Sequence, residues 1–221
     1  MTRKFEDVLA QIERRIAEDG LTVGDRLPGE RQLAEQLRVG RSSVREALRV
    51  LETLGVLSSQ AGRGPDAGAV LTARPDSPLT DLLRLHLGLS NLELSEVVDT
   101  RLMIERWAVA RAAQAGAGTG ELAAALARMD AADGAEEFVE HDTAFHCAIA
   151  EASGNRLIAA IMRSLRDSMR RYAVEAVERL GDTAELRADH RRILAAIDDG
   201  DSAEAAAAVT DHLARAYPGH V

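Results

Sequence analysis

The order of hydrophobic periods in the first 71 residues constrains this chain more than any other feature: three helical stripes, then two short β-leaning runs around a glycine-rich turn. Phe5, Val8, Leu9, Ile12 and Ile16 recur at helical spacing, and Gly20 follows as a stop. Gly24-Asp25-Arg26-Leu27-Pro28-Gly29 reads as a turn, after which a short helix carries Leu33, Ala34 and Leu37 inward. Ser43-Val44-Arg45-Glu46 has the form of a capping box, so the next helix is expected to begin near Ser43. It should bury Val44, Ala47, Leu48, Leu51 and Leu54 and stop at Gly55. Val56–Gln60 and Ala69–Leu71, joined by glycine-rich residues 62–68, read as a hairpin. Three helices and a hairpin in this order predict a winged helix-turn-helix over residues 1–74.

Residues 75–78 read as a linker, and nearly everything in 79–221 is helical. The expected spans are 78–88, 93–115, 119–132, 135–153, 155–180, 184–199 and 202–217, broken at glycine-containing turns. Aromatic residues make up only 3% of the chain, so the core must be built from Leu, Ala, Ile and Val, which points to an all-α antiparallel bundle. The fold class expected is therefore mainly α, with two domains. No stretch is apolar enough to span a bilayer, and the N-terminus runs straight into an amphipathic pattern, which gives a cytoplasmic expectation and no membrane partner. Cys147 is the only cysteine; it excludes an intrachain disulfide and reads as a small buried hydrophobe.

A net charge of −9 is unexpected for a chain that approaches phosphates until it is divided. Up to Arg74 there are 12 Lys and Arg against 11 Asp and Glu, a balance of +1; from Pro75 onward there are 15 against 25, a balance of −10. Only the first third is free of a strong acidic field. In a helix-turn-helix the N-terminal part of the second helix enters the major groove of double-stranded DNA. Here that part carries Arg41, Ser42, Ser43, Arg45 and Arg49, with the arginines four residues apart on the face opposite the leucines. Arginine forks suit guanine edges or phosphates, and serines suit either. Arg31 at the start of the preceding helix and Arg63 in the hairpin turn bracket this face.

The run Gly24-Asp25-Arg26-Leu27-Pro28-Gly29-Glu30-Arg31-Gln32-Leu33-Ala34, followed by Arg41-Ser42-Ser43-Val44-Arg45-Glu46-Ala47-Leu48, resembles the signature of GntR-family bacterial regulators. The resemblance implies a homodimer on a palindromic operator, with Arg31, Arg41, Arg45 and Arg49 on DNA and Gly62 at the wing tip near the minor groove. Two positions depart from the family pattern: Gly40 stands where Ser is usual, and Ala61 where some members carry His.

In the second domain four polar residues occupy apolar stripes. Asp142 and His146 share a face with Phe138, Phe145 and Ile149; His190 lies among Leu186, Ile193, Leu194 and Ile197; His212 lies with Val209, Leu213 and Ala216. Burying one carboxylate and three imidazoles without partners would cost several kcal/mol or more, roughly. A divalent metal satisfies them together, since Asp142 and His146 are one turn apart and two other helices each bring one His. Zinc is the first candidate, with nickel and manganese behind it. A single histidine of this kind would read instead as a hydrogen-bonded core residue; three with a carboxylate favour the metal.

The pattern Glu140-x-Asp142-x-x-Phe145-His146, then Ser153-Gly154-Asn155, His190-x-x-Ile193 and His212, resembles the FCD sensor domain of FadR-type GntR regulators. That resemblance implies a metal held by an Asp and three His, with open positions for a small carboxylate metabolite. It also places Arg101 toward the ligand cavity, where its guanidinium can pair with a carboxylate. The alternative for Arg101 is an i,i+4 ion pair with Glu105. The reading is a metabolite-responsive repressor, not an enzyme. Its rivals are a regulator with a purely structural metal and no effector, and a metal-dependent hydrolase, which lacks any recognisable accompanying acid or base.

Overall fold

The computed structural model describes residues 2–60, 68–72, 76–116 and 118–219. The chain divides into two compact units, Met1–Pro78 and Leu79–Val221. In the first, α1 (Thr2–Glu18), α2 (Glu30–Leu37) and α3 (Arg41–Thr53) precede an antiparallel pair, β1 (Leu57–Gln60) and β2 (Gly68–Leu71). The apolar stripes meet in one core: Val8 and Ile12 of α1, Leu33 and Ala34 of α2, Val44, Ala47, Leu48 and Leu51 of α3. Leu57 and Leu71, paired across the strands, close it from the sheet side.

The turn text at Gly24–Leu27 also joins the sheet. Arg26 forms an isolated antiparallel bridge with Val70, and the Leu27 N–H donates to the Ala69 carbonyl at 2.9 Å. One bridge before Pro28 is too short to leave an alternating pattern in the sequence. Helix α3 starts two residues before the expected Ser43. Gly40 adopts an extended backbone (φ −69°, ψ 143°) and its carbonyl accepts from the Ser43 and Val44 N–H groups, so Ser43 lies inside the first turn and caps nothing. Leu54, expected in the core, is exposed because it lies just beyond the last helical residue. Between α2 and α3 the chain reverses at Arg38, whose left-handed backbone (φ 55°) lets the helix end in a tight turn. The turn residues 61–67, with Ala61, Gly62 and Arg63, lie outside the described residues, as do 73–75.

Helix α4 (Asp76–Gly88) begins just before the boundary at Pro78, and the second unit continues with α5 (Leu94–Ala115), α6 (Gly120–Ala131), α7 (Ala135–Ala152), α8 (Arg156–Ser168), α9 (Arg170–Leu180), α10 (Ala184–Asp198) and α11 (Ser202–Ala216). Helix α4 begins inside the stretch expected as linker; Pro78 falls in its first turn, where a missing N–H costs nothing. A reciprocal Glu93–Glu96 capping box starts α5. This helix is the spine of the bundle, flanked by α11, α7 and α10. Leu122, Met129, Phe145, Ile149, Ile193, Ile197 and Val209 fill the main core.

The single helix expected over 155–180 is divided at Met169. Two serines account for the bend: Ser164 Oγ donates to the Ala160 carbonyl at 2.9 Å and Ser168 Oγ to the Leu165 carbonyl at 2.8 Å. The second bond competes with the Met169 N–H for the same acceptor, and that N–H divides itself between Leu165 and Arg166, each at 3.2 Å.

Candidate functional site

Five helices of the second unit converge on one buried cluster. The inward face of α7 runs Phe138, Asp142, Phe145, His146 and Ile149, so the carboxylate and the imidazole sit one above the other between apolar neighbours. His190 arrives from α10 and His212 from α11. One ligand atom from each of Asp142, His146, His190 and His212 lies within 4.8 Å of all the others, and all four residues are buried.

The distances fit a single small cation. From Asp142 Oδ1 it is 2.9 Å to His190 Nε2, 3.5 Å to His146 Nε2 and 3.9 Å to His212 Nε2. His146 and His212 bring their Nε2 atoms to 3.2 Å. Donors about 2.0–2.1 Å from a tetrahedral ion would be about 3.3 Å apart, which these separations bracket. Despite its closeness to Asp142, His190 Nε2 makes no hydrogen bond of acceptable geometry, so a buried nitrogen is aimed at the centre without a satisfactory protein partner. Three imidazoles and one carboxylate oxygen form a donor set suited to zinc, nickel or manganese.

Two of the imidazoles have an acceptor close behind the far nitrogen, the arrangement that orients metal-binding histidines, and the third has a carboxylate only at a distance. His146 Nδ1 lies 2.5 Å from Glu105 Oε2, His190 Nδ1 lies 2.6 Å from the Leu186 carbonyl, and His212 Nδ1 faces Asp189 Oδ2 at 3.9 Å. Phe145 meets the His190 ring edge-on, with centroids 4.9 Å apart. Burial, then the neighbouring His146, pushes His190 down to about 3; burial, then His190 and His146, holds His212 well below the ordinary imidazole range. Both rings are neutral at pH 7, as metal ligation requires.

Arg101 is fully buried, and the i,i+4 ion pair is formed: Nε and Nη2 lie 3.0 and 2.9 Å from Glu105 Oε1, with the Tyr217 ring beside the guanidinium. Burial pushes the Glu105 carboxyl up, but His146 and Arg101 together outweigh it and hold the group ionised, well below the usual range. Arg101, Glu105 and His146 thus form a continuous polar chain. Three members of the cluster were not anticipated from the sequence: Glu105 as a partner of His146, Asp189, and Arg166 of α8. The buried Arg166 pairs through Nη2 with Asp142 Oδ2, leaving Oδ1 toward the histidines, and burial lowers it to about 10. Each obeys the spacing that marked the histidines, the one signal the sequence offers for them. Glu105 lies on the Arg101–Ala108–Ala112 stripe, Arg166 on Met162–Leu165–Met169, and Asp189 on Leu186–His190–Ile193. A cavity of about 20 Å³ touches Asp142, Arg166, His212 and Tyr217 and is walled by Ala173 and Ala176 of α9. It has room for about one water molecule. His141 and His86 stand outside the cluster; His220 is not among the described residues.

In the first unit Arg31, Arg41, Ser42, Arg45 and Arg49 are exposed and Ser43 is half-buried. Arg45 reaches back to α2: its Nε lies 3.1 Å from both Glu30 oxygens, and its Nη2 lies 2.8 Å from Oε2. Arg31 pairs only loosely with Glu35, at 3.9 Å.

A helix-turn-helix with an arginine-bearing second helix, joined to a helical bundle with a buried polar centre, defines a two-domain DNA-binding regulator. Residues 96–215 match the FCD domain, and residues 4–65 match the family described as bacterial regulatory proteins, gntR family. The chain belongs to the GntR family, in its FadR-type branch with an FCD domain, and is a transcription regulator, not an enzyme. Among its relatives, the putative L-lactate dehydrogenase operon regulatory protein of Escherichia coli K12 is 30% identical over 96% of this chain and 84% of its own length. The regulator LutR of Bacillus subtilis is 29% identical over 87% of this chain and 90% of its own. The Glc operon transcriptional activator of Escherichia coli K12 is 33% identical over 74% of this chain, a match spanning 66% of that protein's length. A solved GntR structure from Streptococcus agalactiae shares the fold, with a TM-score of 0.65 at 24% identity, covering 95% of this chain and 97% of that one. No described helix is long and apolar enough to cross a membrane.

Proposed function

We propose that this regulator works in the cytoplasm as a homodimeric, metal-dependent repressor whose operator affinity is set by a small carboxylate metabolite. The observation that carries the sensor half is the convergence of Asp142, His146, His190 and His212 in a buried, oriented cluster. These residues would hold the metal, which when bound supplies a Lewis-acidic centre with coordination positions left for a carboxylate oxygen. Arg101, already buried one residue-length of polar contacts away, would offer its guanidinium to the same carboxylate. A relative named for an L-lactate dehydrogenase operon is consistent with an effector of that size.

The cavity of about 20 Å³ has room for about one water molecule and is too small for such a molecule as it stands. Binding would therefore widen it, and because Ala173 and Ala176 of α9 line it, occupancy would be coupled to the position of that helix. A coupling of about 1–3 kcal/mol is enough for regulation. Leu82 and Leu85 of α4 and Leu89 just beyond its end are exposed apolar residues, which supports burial against a second copy. Two recognition helices, each α3 with Arg41, Ser42, Ser43, Arg45 and Arg49, and with Arg31 beside it, would then read successive major grooves of a palindrome, with Gly62 and Arg63 contacting DNA from the wing.

Elemental analysis after dialysis against metal-free buffer tests the centre. Near-stoichiometric metal in the parent and its loss in His146→Ala is the expected result. If neither protein binds zinc, nickel or manganese on reloading, the metal reading fails and the cluster is a polar core. A metal-loaded protein whose operator affinity ignores a panel of small mono- and dicarboxylates would leave the metal purely structural.

A further inference from the structure

The arginines of the DNA-facing surface are not equivalent. Arg41 and Arg49 form no ion pair among the described residues, and Arg31 has only the loose contact with Glu35. Arg45 is held at two points by one carboxylate fifteen residues away, on a different helix. Glu30 is the first residue of α2, where a carboxylate is favoured by the helix dipole. The Arg45 hydrogen bond outweighs its partial burial and keeps it ionised, aided by the charges of Arg45, Arg41 and Arg49. The pair spans the two helices of the helix-turn-helix. It occupies the Nε edge of the guanidinium and leaves Nη1 directed elsewhere.

We propose that Glu30 is a positioning residue for DNA reading: by taking the Nε edge of Arg45 it fixes the fork for one contact and withholds it from promiscuous phosphate binding. This rests on the reading that α3 enters the major groove. Two physical consequences follow. A free arginine at this place would satisfy any phosphate within reach, since a long flexible cation gains from every sequence alike. An arginine held by a carboxylate keeps one orientation, and the carboxylate itself repels phosphates that approach in a wrong register. Specificity is a difference between affinities, and a negative charge beside a reading arginine raises the penalty for the wrong partner. Glu30 therefore contributes to selectivity while lowering the overall electrostatic attraction to DNA.

The test uses the full-length protein and a duplex selected by the parent from a random-sequence library, with a scrambled duplex of the same composition as the non-specific partner. Affinities for both are measured over a range of salt concentrations for the parent, Glu30→Gln, Glu30→Asp and Arg45→Ala. Glu30→Gln is expected to bind the scrambled duplex more tightly, with a salt slope steeper by about one phosphate contact. The ratio of selected to scrambled affinity should fall about tenfold or more. Glu30→Asp keeps the charge, and with it the repulsion, but is too short to hold Arg45 at two points, so it should recover only part of the ratio; a purely electrostatic role would restore all of it. A ratio within about twofold of the parent in Glu30→Gln, or its full recovery in Glu30→Asp, overturns the proposal. Arg45→Ala separates the two levels. If it leaves the selected duplex as tightly bound as the parent does, the groove reading of this arginine fails; if it loses that affinity while Glu30→Gln changes nothing, only the positioning role fails.

Discussion

Glu105 ties the two halves of the sensor site together. One oxygen takes the Arg101 guanidinium at 2.9–3.0 Å and the other lies 2.5 Å from His146 Nδ1, so its charge serves both a candidate effector clamp and a candidate metal ligand. Removing either buried partner strands the other, at a cost on the order of 3–5 kcal/mol for a broken buried pair. Arg101→Ala is for that reason a poor probe of effector binding by itself, and Arg101→Lys, which keeps the charge but loses the fork, is the better one. Glu105→Gln keeps the shape and removes the charge. It should weaken metal binding about 10–100-fold through loss of the negative charge behind His146. A competitive chelator titration checks this, and an unchanged affinity would mean that Glu105 serves Arg101 alone. The quartet was legible because polar residues interrupt apolar stripes at helical spacing. Glu105, Asp189 and Arg166 obey the same spacing, but charged residues in helices so rich in Arg and Glu read as solvated faces until the neighbouring helix is in place.

Among the elements, helices were readable where a stripe and a stop agreed, as at Phe5–Gly20, and boundaries slipped where backbone bonds compete. The Ser43 capping signal failed because the Gly40 carbonyl had already begun the helix. The bend at Met169 carries no Gly or Pro, and its cause, two serines back-bonding to carbonyls, depends on their burial in the bundle. The break matters because α9, which begins after it, contributes Ala173 and Ala176 to the cavity wall. The entrance to α8 is fastened by Asn155, whose Oδ1 accepts from the Leu157 and Ile158 N–H groups at 3.1 and 3.2 Å. Asn155→Ala should lower stability by about 1 kcal/mol and Asn155→Asp should largely preserve it, measured by urea unfolding of the metal-free protein. An Ala variant as stable as the parent would show that packing alone holds this end of α8.

Over the whole molecule, charge is divided as the two tasks demand: the reading unit is nearly neutral, and the sensor carries the excess of −10. The sensor's buried centre nevertheless sets the acid sensitivity of the fold. His190 and His212 are neutral in the folded protein at pH values where an unfolded chain, with imidazoles near 6.5, has already bound protons. Between pH 6.5 and about 3 the unfolded state therefore holds more protons at His190, and His212 acts in the same direction below 6.5, so stability is present above 6.5 and is lost as pH falls. Each histidine can contribute a slope of at most about 1.4 kcal/mol per pH unit. Glu105 acts in the same direction at lower pH: its folded carboxyl titrates below the unfolded value of 4.5, so its contribution is present above 4.5 and is lost below it. Metal-stripped protein should accordingly unfold at progressively lower urea concentration from pH 7 to pH 5, and His190→Phe/His212→Phe should flatten that dependence. The double variant removes the proton-binding sites while retaining ring volume, and comparing slopes instead of absolute stabilities separates titration from repacking. An unfolding midpoint independent of pH across this window in the parent would mean that the histidines take up protons in the folded state, and that the cluster is open to water rather than a dry centre awaiting a cation.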